Sequence, residues 1–200
     1  INNQENAEIV FPTMFDTNPA NITGSGPGYQ NRAHLFWLNE YEFDPGMIRD
    51  VYPGRPYRRM MATDYAIDIH DRLNDSRLRK SLKDVFLANN EDPATYPEWT
   101  AAELEFAFDD YDPATGTATR YGQTISVGEP KFALGDTALV YLINDRNTTL
   151  TDREIVSMGY TIYARYFWLT DENGNPTQLI ENDPDEIKDV TLSNGIRIRA

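Results

Sequence analysis

Residues 59–90 read RMMATDYAIDIHDRLNDSRLRKSLKDVFLANN. Thr63 is a helix N-cap, because its hydroxyl can accept from a first-turn N–H that lacks a helical partner. Asp64 adds a carboxylate at the positive end of the helix dipole. Ala66, Ile69 and Leu73 recur at helical spacing and form one apolar stripe. The sequence therefore predicts a short helix over residues 64–73. Asn74, Asp75 and Ser76 end it, since these side chains bond nearby backbone groups and favour turns. Over residues 78–87 two readings stand. Leu78, Leu82 and Phe86 fit a second helix, whereas Ser81, Lys83, Val85 and Leu87 alternate with Leu82 and Phe86 as in a strand.

Before this stretch, residues 7–15 read as a strand and residues 16–30, with five Gly and Pro positions, as a loop. Residues 34–41 (HLFWLNEY) are apolar enough for a strand or a short helix, and Asp44-Pro45-Gly46 and Tyr52-Pro53-Gly54 mark turns. After it, residues 91–102 read as an exposed, aromatic-bearing loop. Residues 106–124 read as a hairpin with its turn at 110–116, and Arg120-Tyr121-Gly122 begins the return strand. Residues 137–143 form a buried strand. Thr151 and Glu154 make a capping box that opens a helix within residues 152–159. Residues 160–170 form one strand with Tyr163, Arg165, Phe167 and Leu169 on a single face. Asp171 to Asn175 turn it into a strand at 177–180, and residues 190–198 form a tail strand. The expected class is α+β, loop-rich, with short strands and few helices in a single region, 1–200.

Two hundred residues suit one domain and bury roughly 70% of the unfolded surface. The net charge of −14 disfavours any partner that is itself a polyanion, nucleic acid and anionic membrane among them, because phosphate backbones are held by clustered Lys and Arg. No apolar run reaches membrane-helix length. The absence of Cys rules out disulfides and thiolate chemistry.

The capped helix, the following Asn74-Asp75-Ser76-Arg77 and the segment ending at Asn89-Asn90 together resemble the signature of the RagB/SusD-like family of outer-membrane nutrient-binding lipoproteins. Asn6-Ala7-Glu8-Ile9-Val10-Phe11 is similar to the family's preceding strand entry, and residues 135–142 (GDTALVYL) to a later strand, in the family's order. The resemblance implies a middle segment of a longer, surface-exposed outer-membrane protein, without the family's lipidated Cys and most of its tetratricopeptide-like helices. It also implies non-catalytic binding of an oligosaccharide or polysaccharide and its delivery to a SusC-like TonB-dependent transporter. The alternatives are peptide or other nutrient binding in the same family, or a structural domain that contacts the transporter.

A sugar site needs exposed aromatic faces for pyranose C–H groups and polar side chains for the hydroxyls. In the loop-rich part, residues 91–128, Tyr96 and Trp99 stand with Asn90 and Glu98, and Tyr111 and Tyr121 stand with Asp109, Asp110 and Arg120. The candidate ligand-binding residues are Tyr96, Trp99, Tyr111, Tyr121, Arg120 and Asp110. The competing reading is that these rings pack down and hold their loops. Trp37, Tyr41 and Trp168 read as core. His34 and His70 stand far apart without Cys, so no transition-metal site is expected. Asp109, Asp110, Asp112 and Thr115, or Asp171, Asn173 and Asn175, lack the spacing of a calcium loop and suit ordinary turns. Glu103 and Glu105 are a carboxylate pair of the kind that 32 acidic residues supply by chance. No catalytic motif, cofactor or metal is expected. Asp75 and Arg77 read as a turn cap and a structural contact.

Overall fold

The structure is a computed structural model that describes residues 41–50, 56, 63–70, 76, 83–181, 189–192 and 194–199. The readings for residues 7–15, 16–30 and 34–40 lie outside these residues. So do those for Tyr52-Pro53-Gly54, His34, Trp37, Asp75 and Arg77.

Helix α1 (Asp64–Asp68) starts at the expected cap, with Thr63 extended and its hydroxyl accepting from the Ala66 N–H at 3.2 Å. It is shorter than the stripe implied, and its inward residue is Ile67, while Ile69 is 58% exposed. Five residues present little more than one face, and tertiary contact selects that face over sequence spacing. Asp68 is tied to the distant Arg165 at 2.9 Å. Strand β1 (Val85–Leu87) settles the end of the ambiguous segment as extended, with Phe86 buried and its two neighbours exposed.

The central sheet has the order β1–β4–β5, where β4 is Thr137–Leu142 and β5 is Thr161–Ala164. β1 pairs antiparallel with β4 and β5 pairs parallel with it. A parallel neighbour needs a crossover, and the connection supplies one in α3 (Asp152–Ser157), whose Thr151–Glu154 capping box is complete. Alternation sends opposite faces of this sheet into two cores. Phe86 and Leu139 join Tyr41 and Met47 in the first, which includes the expected core residue Tyr41, and Ile162 and Ala164 join Ile155 and Phe167 in the second.

Residues 160–170 do not form one strand. β5 ends at Ala164, and β6 (Tyr166–Thr170) begins after Arg165 and pairs with β7 (Pro176–Glu181) instead. Tyr166 and Phe167 are both buried, so the alternation slips at Arg165 as the chain leaves one sheet for the next. The tail is likewise a hairpin, β8 (Asp189–Thr191) with β9 (Arg197–Arg199), rather than a single strand. Trp168 is partly buried and its indole N–H donates to the Thr148 carbonyl at 3.2 Å.

The third core fills the segment read as an exposed loop. After a 3-10 turn at Pro93–Thr95, Thr100 caps α2 (Ala101–Ala107), and Thr100 and Glu103 form a second complete capping box. The hairpin that follows is β2 (Thr117–Arg120) with β3 (Gln123–Ser126). Its turn is Tyr121-Gly122, not residues 110–116, and Phe106 lies on the helix. Thr100→Ala removes the cap and is expected to cost about 1 kcal/mol. A urea-unfolding midpoint indistinguishable from the parent chain would contradict that role. The architecture is α+β, with few helices and short strands in small sheets.

Candidate functional site

Six side chains were candidates, and the structure separates them. Trp99 is only 2% exposed and packs with Leu104, Ala118 and Ile125, so its ring faces the core and not a ligand. Its backbone is fixed as well: its N–H donates to Glu129 O and its carbonyl accepts from Gly128 N, both at 2.9 Å. Tyr111 is half-buried against the same core. Tyr96 is half-buried against the first core, edge-on to Phe132 at 5.6 Å, and its hydroxyl donates to the Asn90 carbonyl. These three rings hold their loops. Burying apolar area outweighs displaying it wherever a neighbouring element offers a partner.

Asp110 is exposed. Hydrogen bonds from the Thr119 hydroxyl and backbone hold its carboxyl below the ordinary value of 3.8. Thr119 and Arg120 are successive on β2 and point to opposite faces, so Asp110 is not grouped with Arg120.

Arg120 and Tyr121 do come together. Tyr121 is 84% exposed and stands at φ 51°, and Gly122 follows at φ 79°. With Arg120 paired to Gln123, this is a two-residue turn whose central residues both have positive φ, as the right-handed twist of a tight hairpin requires. Among the described residues Tyr121 is the one non-glycine with positive φ. That conformation costs a bulky residue on the order of 1 kcal/mol and favours Asn, Asp or Gly. The ring lies largely in solvent, against the Arg120 guanidinium.

Behind the ring lies Arg120. Its guanidinium carbon is 5.2 Å from the Tyr121 ring centre and 5.7 Å from that of Trp99. One terminal nitrogen donates to the Met158 carbonyl at the end of α3, and the other donates to Lys131 O at 3.4 Å. Gly159, at φ +73°, makes this approach possible. A Cβ there would stand 2.8 Å from the Trp99 ring and 3.4 Å from the guanidinium.

Tyr160 is the third member of the group, and sequence reasoning missed it. It is half-buried. Burial raises its phenol above the ordinary 10.0, the neighbouring Tyr121 phenol adds to the rise, and Arg120 opposes it. It is thus a neutral hydroxyl beside the exposed ring at neutral pH. Tyr160 also lines a cleft of about 200 Å³ with Pro97, Glu103, Lys131, Gly159 and Arg197. Glu103 is engaged there by Lys131 at 2.5 Å. A Gly-Tyr pair after a capped helix carries no local signal for this position, since what places it is the packing of Gly159 on Trp99.

The oxygen-rich turns are internally bonded. Asp112 accepts from Ala114 N and the Thr115 hydroxyl, both at 2.9 Å, and Asp171 accepts from Asn173 N and Asn175 N, both at 2.9 Å. Those bonds hold both carboxyls below 3.8. Among the described residues no group of three or more His, Asp or Glu is placed to hold a metal ion.

The arrangement offers an exposed aromatic face over a guanidinium, beside the Tyr160 phenol that lines a small cleft. No family model, curated protein or solved structure matches the chain.

Proposed function

We propose that this chain is a non-catalytic glycan-binding segment of a SusD-like, surface-exposed outer-membrane protein, which captures an oligosaccharide and passes it to a TonB-dependent transporter. The observation that carries the reading is Tyr121, a large aromatic ring held in solvent in a backbone conformation that disfavours it. A pyranose lays its C–H face on such a ring, and its hydroxyls meet the Arg120 guanidinium and the Tyr160 phenol. One platform with a few hydrogen bonds gives weak binding, which suits a sugar that must be released onward. Among the described residues the cleft presents a single carboxylate, Glu103, already tied to Lys131. Glycoside hydrolysis in its usual form requires two, which favours binding over cleavage.

The test is affinity electrophoresis of the chain through gels containing neutral and acidic polysaccharides. Retardation in at least one gel, reduced roughly tenfold in apparent affinity by Tyr121→Ala, is the expected result. Unchanged retardation of the Tyr121→Ala chain would remove the platform from the site. Release of reducing ends from a bound polysaccharide would move the reading to a glycosidase.

A further inference from the structure

The charge around Arg120 bears on which sugars fit. The chain carries 32 acidic residues against 18 Lys and Arg, so an arginine has carboxylates in abundance to choose from. Arg49, Arg146, Arg153 and Arg165 all form ion pairs, with Glu42, Glu181, Asp109 and Asp68. Arg120 has no carboxylate partner among the described residues. Its two terminal nitrogens meet only backbone carbonyls, and its Nε is buried without a hydrogen-bond partner.

A half-buried guanidinium without a counter-charge is electrostatically incomplete, because neutral carbonyls replace only part of its lost hydration. The nearest carboxylate on the cleft, Glu103, is occupied by Lys131. Asp110 lies toward the opposite face of β2 with Thr119. Among the described residues Arg120 is therefore a cation without a paired carboxylate on an otherwise strongly anionic chain.

We infer that the Arg120–Tyr121 platform takes an acidic sugar, a uronate or a sulfated residue, with the sugar ring on the open face of Tyr121 and the anionic group extending past the ring edge to the Arg120 guanidinium behind it. This rests on the glycan-binding reading and narrows its ligand. Carboxylate and sulfate share the required chemistry: a planar or tripod anion that accepts the N–H groups left free by Met158 and Lys131. General attraction to polyanions does not explain such binding, since the net charge of −14 repels them.

The experiment compares matched pairs on the whole chain: polygalacturonate against its methyl-esterified form, and dextran sulfate against dextran. Binding to one charged member, at least roughly tenfold tighter than to its uncharged counterpart, is expected. Preference for polygalacturonate identifies a carboxylate ligand, and preference for dextran sulfate a sulfate. Arg120→Gln should abolish the preference while Arg120→Lys retains part of it, with folding of each checked by its unfolding midpoint. If Arg120→Gln does not fold, the ester and sulfate comparisons on the parent chain still decide. Binding to uncharged polysaccharides as tight as to charged ones would overturn the acidic-sugar inference and leave the glycan reading standing. Failure to bind any polysaccharide would overturn both.

Discussion

Trp99→Ala is expected to lower the unfolding free energy by about 3–5 kcal/mol, the range for truncating a buried large aromatic. Three features place it there. The ring is 2% exposed and centres the third core, where Leu104 of α2, Ala118 of β2 and Ile125 of β3 meet. Phe108 lies edge-on to it at 5.8 Å. The Arg120 guanidinium and the Lys131 ammonium lie 5.7 and 5.1 Å from its ring centre, so truncation also removes the aromatic support of two cations. The cavity left behind cannot close easily, because the backbone of Trp99 is bonded to residues 128 and 129 and Gly159 is at a turn of fixed hand. The variant should also lose ligand binding through displacement of the hairpin. Urea unfolding reads the first effect, and a loss below about 1 kcal/mol would mean that the third core is not organised by this ring.

Asp152→Ala is expected to cost about 3 kcal/mol, through hydrogen bonds rather than volume. The carboxylate is 1% exposed at the start of α3. It accepts from the Thr170 hydroxyl at 2.7 Å, the Thr170 N–H at 3.1 Å and the Arg153 N–H at 2.8 Å. It thus ties the first turn of the helix to the last residue of β6. Alanine leaves the partly buried Thr170 hydroxyl and N–H without these partners, a penalty of about 1–3 kcal/mol for each group that stays unsatisfied. Asp152→Asn keeps the shape, but the amide nitrogen then faces a donor, so an intermediate loss is expected. Equal loss in both variants would show that charge alone matters, and no loss in either would remove Asp152 as the tie.

Local patterns predicted local structure well. The Thr63 cap, the Thr151–Glu154 box and the Asp171 turn all depend on side chains bonding backbone within four residues, and the Asp44-Pro45-Gly46 turn is closed by the Met47 N–H on the Asp44 carbonyl. Those signals need no knowledge of the fold. The Thr100–Glu103 box is the same pattern, but Pro93, Pro97 and the surrounding polar residues obscure the helix behind it. Strand assignments failed where the chain changes partner. Arg165 breaks a continuous alternation because Tyr166 turns to pair with Glu181, and only a neighbouring strand decides that. Within the candidate site, sequence reasoning found Arg120 and Tyr121 and missed Tyr160. It also grouped Trp99 and Tyr96 with the ligand, although Trp99 is covered by the following helix and hairpin and Tyr96 packs on the first core. Whether a loop aromatic faces solvent is set by what the fold brings over it, and spacing does not carry that information.

The central claim is that Tyr121 is placed for a ligand and not for the fold. Tyr121→Asn tests it most directly, because asparagine suits the positive-φ turn position better than tyrosine and retains no aromatic face. The variant should unfold at the same urea concentration as the parent chain or a higher one, and lose at least roughly tenfold in affinity for whichever polysaccharide retards the parent. Lower stability together with unchanged binding would contradict it, and would return Tyr121 to the fold.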